Sequence, residues 1–141
     1  MEELIYIVED DEGLRELYEG AFEGVYRTML FENGKDFFCQ FEKTRPDLII
    51  LDIMLPDMDG YTILTKIREI DEKIPVLIVS AKSDEIRAVK GLNKGADDYI
   101  SKPFSVLELI ARIKTNIRRA NLYIKSQKGF VIDNNVYKIF Y

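Results

Sequence analysis

"PDLIILDIMLPDMDG", residues 46–60, decides the fold. Leu48, Ile49, Ile50 and Leu51 form an apolar run without alternation, and Asp52 follows it directly. Such a run predicts a strand buried on both faces, the usual state of a strand in a parallel sheet. A carboxylate at the end of that strand loses much of its hydration and needs a proton, a cation or a chemical role.

Outward from this strand, short apolar runs alternate with amphipathic segments. "LIYIV" (4–8) reads as a strand, and Leu14, Leu17, Ala21 and Phe22 then recur at helical spacing. "VYRTMLF" (25–31) predicts a second strand, and Gly34 opens a helix carrying Phe37, Phe38 and Phe41. After Asp52 come a helix around Ile63, Leu64, Ile67 and Ile70, the strand "VLIVS" (76–80), and a weakly patterned helix over 84–94. A short strand near "YIS" (99–101) leads into a helix from Ser105 to about Asn121, with Val106, Leu109, Ile110, Ile113 and Ile117 on one face. Five βα repeats predict an α/β sandwich around a parallel sheet. Ligands in such sheets bind beyond the carboxyl ends of the strands. Glu9-Asp10-Asp11, Asp52, Ser80 and Lys102 all lie at or just after strand ends.

Composition narrows the chemistry. The chain has 141 residues, 47% hydrophobic and 32% charged, as expected of one folded domain. It has no histidine, which removes His–metal sites and Ser–His catalysis. One cysteine, Cys39, flanked by Phe37, Phe38 and Phe41, is expected to be a packed or half-packed thiol. No apolar run approaches the roughly 18–20 residues of a membrane span. The N-terminal stretch lacks the marks of a secretory signal, and a cytoplasmic location is expected. The net charge of −5 is uneven: residues 1–100 carry 12 basic and 23 acidic side chains, residues 101–141 carry 8 and 2.

If Asp10, Asp11 and Asp52 meet at about 5 Å, each pair repels by roughly 3 kcal/mol at an effective dielectric near 20. Protonation of one acid relieves this, and so does a divalent cation. Oxygen-only ligands favour Mg²⁺ or another hard ion. Lys102 adds a positive point charge and Ser80 a hydroxyl donor. Asp52, alone at the end of the most apolar strand, is the candidate nucleophile toward a phosphoryl group.

"IVEDDE" (7–12), "PDLIILDIMLPDMDG" (46–60), "VLIVSAK" (76–82) and "GADDYISKPF" (95–104) together resemble the receiver domain of two-component response regulators over about residues 3–120. The resemblance implies a flavodoxin-like (βα)5 fold with strand order 2-1-3-4-5. It implies that Asp52 accepts a phosphoryl group from a separate sensor histidine kinase. It further implies that Asp10 and Asp11 bind Mg²⁺ with Asp52 and the backbone carbonyl of Met54. Ser80 and Lys102 would contact the phosphoryl group, Tyr99 would be the switch aromatic, and Lys102-Pro103 the bond usually found cis. Met54 and Lys82 would tune the lifetime of the acyl phosphate. Such a domain is a switch rather than an enzyme, beyond assisting its own phosphorylation and slow dephosphorylation.

"GLNKGADDYISKPFSVLELIARIKTNIRR" (91–119) resembles the OmpR/PhoB group of transcription regulators. There the face made by the fourth helix, fifth strand and fifth helix forms a dimer on phosphorylation. Asp97, Asp98, Glu108, Arg112 and Lys114 match its charged positions. Ala88 stands where a basic residue is usual, so Arg87 or Lys90 would have to replace it. Residues 1–121 are then the receiver, and 122–141 a linker and β-hairpin beginning a truncated winged-helix DNA-binding domain.

Three other readings compete. A haloacid-dehalogenase-like phosphatase would carry a second Asp two residues after the nucleophile, where this chain has Met54. A flavodoxin-like cofactor binder wants a Ser/Thr/Gly-rich loop after the first strand, where "EDDEG" stands. A phosphorylation-independent interaction module would have no use for the complete set of acids.

Overall fold

The computed structural model describes residues 2–81 and 85–127; for residues 85, 87, 88 and 123–127 it describes the backbone alone. Ten elements alternate along it: β1 (Leu4–Val8), α1 (Glu12–Phe22), β2 (Arg27–Phe31), α2 (Gly34–Phe41), β3 (Leu48–Asp52), α3 (Gly60–Ile70), β4 (Val76–Ala81), α4 (Glu85–Asn93), β5 (Asp98–Lys102) and α5 (Val106–Gln127). The sheet is parallel throughout, in the order β2-β1-β3-β4-β5. All five residues of β3 are buried, because helices cover both of its faces.

Strand alternation divides the core in two. Tyr6, Val8, Ile49, Leu51, Val76 and Ile78 face one layer, where α2 and α3 contribute Phe37, Phe41, Ile63, Leu64 and Ile67. Ile5, Ile7, Leu48, Ile50, Leu77, Val79 and Ile100 face the other, where α1 and α5 contribute Tyr18, Phe22, Leu109, Ile113 and Ile117. Each fully buried aliphatic or aromatic side chain stabilises by about 1.5–3 kcal/mol, so both layers are needed against the entropy of ordering the chain.

Local chemistry sets the helix starts. Asp11 caps α1, its side chain accepting from Leu14 N. Asn33 caps α2 through Asp36 N, and Asp57, from the loop after β3, accepts from Gly34 N at 3.0 Å and Lys35 N at 3.2 Å. Gly60 opens α3 against β3: a Cβ there would sit 2.6 Å from Ile53 Cα and 2.8 Å from Ile53 O. Only glycine permits that approach.

Two expectations are corrected. α5 runs to Gln127, past the expected end near Asn121, since no Gly or Pro interrupts the sequence between Pro103 and Gly129. Cys39 is exposed, because Phe37 and Phe41 take the inward stripe of α2 and turn Cys39 outward. The hairpin expected over 128–141, and Lys82, lie outside the described residues.

Candidate functional site

Glu9 directly after β1, Asp52 at the end of β3 and Lys102 at the end of β5 fall on the same side of the sheet. Ile5, Ile7 and then Glu9 share one face of β1, whose ladder continues through Glu9 N to Phe31 O at 2.9 Å. Leu48, Ile50 and Asp52 share the corresponding face of β3, as do Ile100 and Lys102 in β5. Above the last apolar layer these side chains meet: Lys102 Nζ lies 3.2 Å from Asp52 Oδ2 and 3.3 Å from Glu9 Oε1. Glu9 is 1% and Asp52 5% exposed.

The remaining carboxylate oxygens are held by backbone. Asp52 Oδ1 accepts from Met54 N at 3.1 Å, and Glu9 Oε2 from Asp11 N at 3.2 Å. Arg15 Nη1 donates to Glu9 O at 2.9 Å. Glu9 Oε1, although paired with Lys102 by charge, receives no hydrogen bond. Burial, then the neighbouring Asp52 carboxylate, push Glu9 up to about 7, with Lys102 acting in the opposite direction. Burial opposes charge on Lys102, yet Asp52 and Glu9 outweigh it and hold Lys102 above the ordinary lysine value.

The acids brought together are Glu9, Asp10 and Asp52, with one oxygen of each within 4.8 Å of the others. The expected pair, Asp10 and Asp11, is thus displaced by one residue, and the Asp11 carboxylate caps α1 instead. The signal that finds Glu9 is parity: counted from Ile5 and Ile7, Glu9 falls on the side shared with Asp52. The donor set fits a hard divalent ion, being all carboxylate, with Asp10 exposed and Glu9 Oε1 buried without a hydrogen bond.

Ser80 and Met54, also expected here, lie near the end of β4 and just after β3. Ser80 is buried, with no partner for Oγ. Met54 is 51% exposed beside Asp52, and Tyr99 is half-buried against the α2/α3 layer. Lys102-Pro103 is cis. Four of the charged residues expected on the dimer face, Asp97, Asp98, Glu108 and Arg112, are engaged within the chain. Asp97 Oδ2 accepts from Arg68 Nη2 and Val76 N, both at 2.8 Å. Asp98 binds Arg112 at 2.7 Å and Asn116 at 3.1 Å, and Arg112 also reaches Glu108 at 3.3 Å. Lys90 Nζ lies 5.4 Å from the Tyr61 ring centroid, Lys114 is exposed, and the Arg87 side chain lies outside the described residues.

Residues 5–114 match the Response regulator receiver domain family. The chain belongs to that family. It is similar to the transcriptional regulatory protein PcoR of Escherichia coli, 47% identical over 117 residues that make up 82% of this chain and 52% of PcoR. It is also similar to the DNA-binding response regulator MtrA of Mycolicibacterium paratuberculosis, 38% identical over 120 residues, 84% of this chain and 53% of MtrA. Among solved structures, the receiver domain of the Francisella response regulator 1452 superposes with a TM-score of 0.76 at 31% identity, covering 83% of this chain and 98% of that one. This receiver spans about half the length of the curated relatives it matches. Among its described residues no helix is long and apolar enough to cross a membrane.

Proposed function

We propose that this receiver takes a phosphoryl group from a sensor histidine kinase onto Asp52, and that the modified chain pairs with a second copy through α4, β5 and α5. The observation that carries this reading is the buried Asp52 carboxylate, held between Lys102 Nζ and Met54 N beside Glu9 and Asp10. Glu9, Asp10 and Asp52 hold Mg²⁺, with the Met54 carbonyl as a further ligand. When bound, the ion neutralises charge on the transferring group. The Asp52 oxygen attacks phosphorus in line with the departing histidine nitrogen. Lys102 exchanges its carboxylate partners for the phosphoryl oxygens, and the unpartnered Ser80 Oγ turns to donate to them. The added charge biases Tyr99 and the α4 surface between two states. The chain acts as a switch in the cytoplasm, and DNA contact belongs to a further domain of the kind carried by DNA-binding relatives.

Dimerisation draws on exposed apolar residues that charge matching does not reveal. Ile86 and Val89 on α4 are 86% and 48% exposed, and Leu107 on α5 is 82% exposed. Asp97, Asp98, Glu108, Arg112, Lys114, Arg87 and Lys90 set the register around them.

The decisive experiment is intact mass after incubation with a small phosphodonor, with and without Mg²⁺. A Mg²⁺-dependent gain of one phosphoryl group, lost in Asp52→Asn, is the expected result. No gain with either the phosphodonor or a cognate kinase would sink the assignment and favour an interaction module.

A further inference from the structure

We infer that Arg68 is a positioning residue of the proposed dimer face: its guanidinium anchors the turn that joins α4 to β5 and fixes the Asp97 carboxylate just before β5, so that both elements meet the second copy in one register. The inference rests on the reading that phosphorylated copies pair through α4, β5 and α5.

Arg68 stands in the last turn of α3, and its side chain is only 15% exposed. A largely buried guanidinium needs acceptors around its whole fork. Two come from the loop leading out of α3, where Nη1 donates to Asp71 O at 3.2 Å and to Ile74 O at 2.7 Å. The other two come from the connection before β5: Nε donates to Gly95 O and Nη2 to Asp97 Oδ2, both at 2.8 Å. The side chain also packs on that turn, since a Cβ at Gly95 would sit 3.1–3.4 Å from Arg68 Cγ, Nε and Cδ.

The anchored turn closes α4. Gly95 N bonds to Leu92 O at 3.2 Å and Ala96 N to Gly91 O at 3.1 Å. Gly91 is buried, and a Cβ there would collide with Ile78 Cδ1, whereas Ile86, Val89 and Lys90 are exposed. Among the described residues, α4 therefore meets the sheet through its C-terminal half, directly ahead of the Arg68 anchor. Asp97 ties that anchor to β4: Oδ2 also accepts from Val76 N at 2.8 Å, and Asp97 N donates to Val76 O at 2.9 Å. The Asp97 side chain stays 35% exposed, so it can meet a basic residue of the second copy without leaving Arg68. The acid pocket lies at the other end of β5, about 16 Å away at roughly 3.3 Å per residue.

The test is Arg68→Met, which keeps an unbranched stem and removes the fork. Phosphoryl uptake is read by intact mass, dimerisation of the phosphorylated chain by sedimentation equilibrium, and the turn by amide hydrogen exchange. The expected result is normal uptake, a dimer weakened by about tenfold, and faster exchange at Gly95, Ala96 and Asp97. Ile5→Val removes one buried methyl group from distant β1, controls for lost stability, and should dimerise as wild type does. Unchanged dimerisation or unchanged exchange in Arg68→Met would overturn the inference, and so would an equal weakening by Ile5→Val. If the Met variant does not fold, Arg68→Lys keeps the charge without the fork, and wild-type dimerisation there would overturn the role of the guanidinium. Wild type that takes the phosphoryl group yet stays monomeric would remove the pairing reading and this role with it, while exchange in Arg68→Met would still decide whether Arg68 anchors the turn.

Discussion

At Glu9, burial removes water from a carboxylate while Asp52 adds a second negative charge, and Lys102, followed by the Asp11 N–H, opposes both without offsetting them. Its value is raised from 4.5 to about 7, so between those limits the folded chain binds a proton that the unfolded chain has released. Stability therefore falls as pH rises through that window. We expect the urea midpoint of the Mg²⁺-free chain, relative to Glu9→Gln, to drop from pH 4.5 toward 7. Excess Mg²⁺ should reverse the drop at neutral pH, because an ion that binds only the folded state stabilises it. A wild-type midpoint that tracks Glu9→Gln across the window would show that Glu9 is not strained. Asp11 illustrates the opposite case: it is exposed and its carboxylate already serves the helix.

Among the elements, the connection from β3 to α3 does most to shape the pocket. Asp52, Met54 N, the Asp57 cap of α2 and the Gly60 contact with Ile53 all lie within nine residues. Gly60→Ala drives a methyl group into backbone and is expected to cost about 2 kcal/mol or more. Gly20→Ala makes the converse case, since nothing lies within 4 Å of its Cβ position on an exposed turn of α1. That change should stabilise by about 0.5–1 kcal/mol. Chemical denaturation of both variants checks the signs; a Gly60→Ala chain as stable as wild type would mean that the connection can relax. Helix ends followed simple chemistry wherever a cap or a breaker stood nearby, as at Asp11, Asn33 and Asp59.

At the scale of the molecule, helices seal both faces of the sheet and leave its strand ends open, which is why reactive groups gather at one edge. The α4/α5 side carries exposed apolar residues beside charges already paired within the chain. Exposed pairs contribute about 0–1 kcal/mol each, so apolar contact dominates the proposed dimer. The double variant Ile86→Asp with Leu107→Asp should accept a phosphoryl group normally yet sediment as a monomer after phosphorylation. Dimers of that variant would place the interface elsewhere.

The amino-acid sequence by itself determined the five βα repeats, the buried β3 and the charged strand ends at Asp52 and Lys102. Apolar runs and their punctuation are local signals, and four ordered motifs in one chain leave little room for another fold. Tertiary structure alone decided which acids of Glu9-Asp10-Asp11 join Asp52, because a shift of one residue moves a side chain to the other face of the sheet. It also turned Cys39 outward and stacked Tyr18 between Phe22 and Phe104. Those outcomes depend on which stripe of α2 packs inward and on α1 and α5 sharing a layer, and both are set by long-range packing.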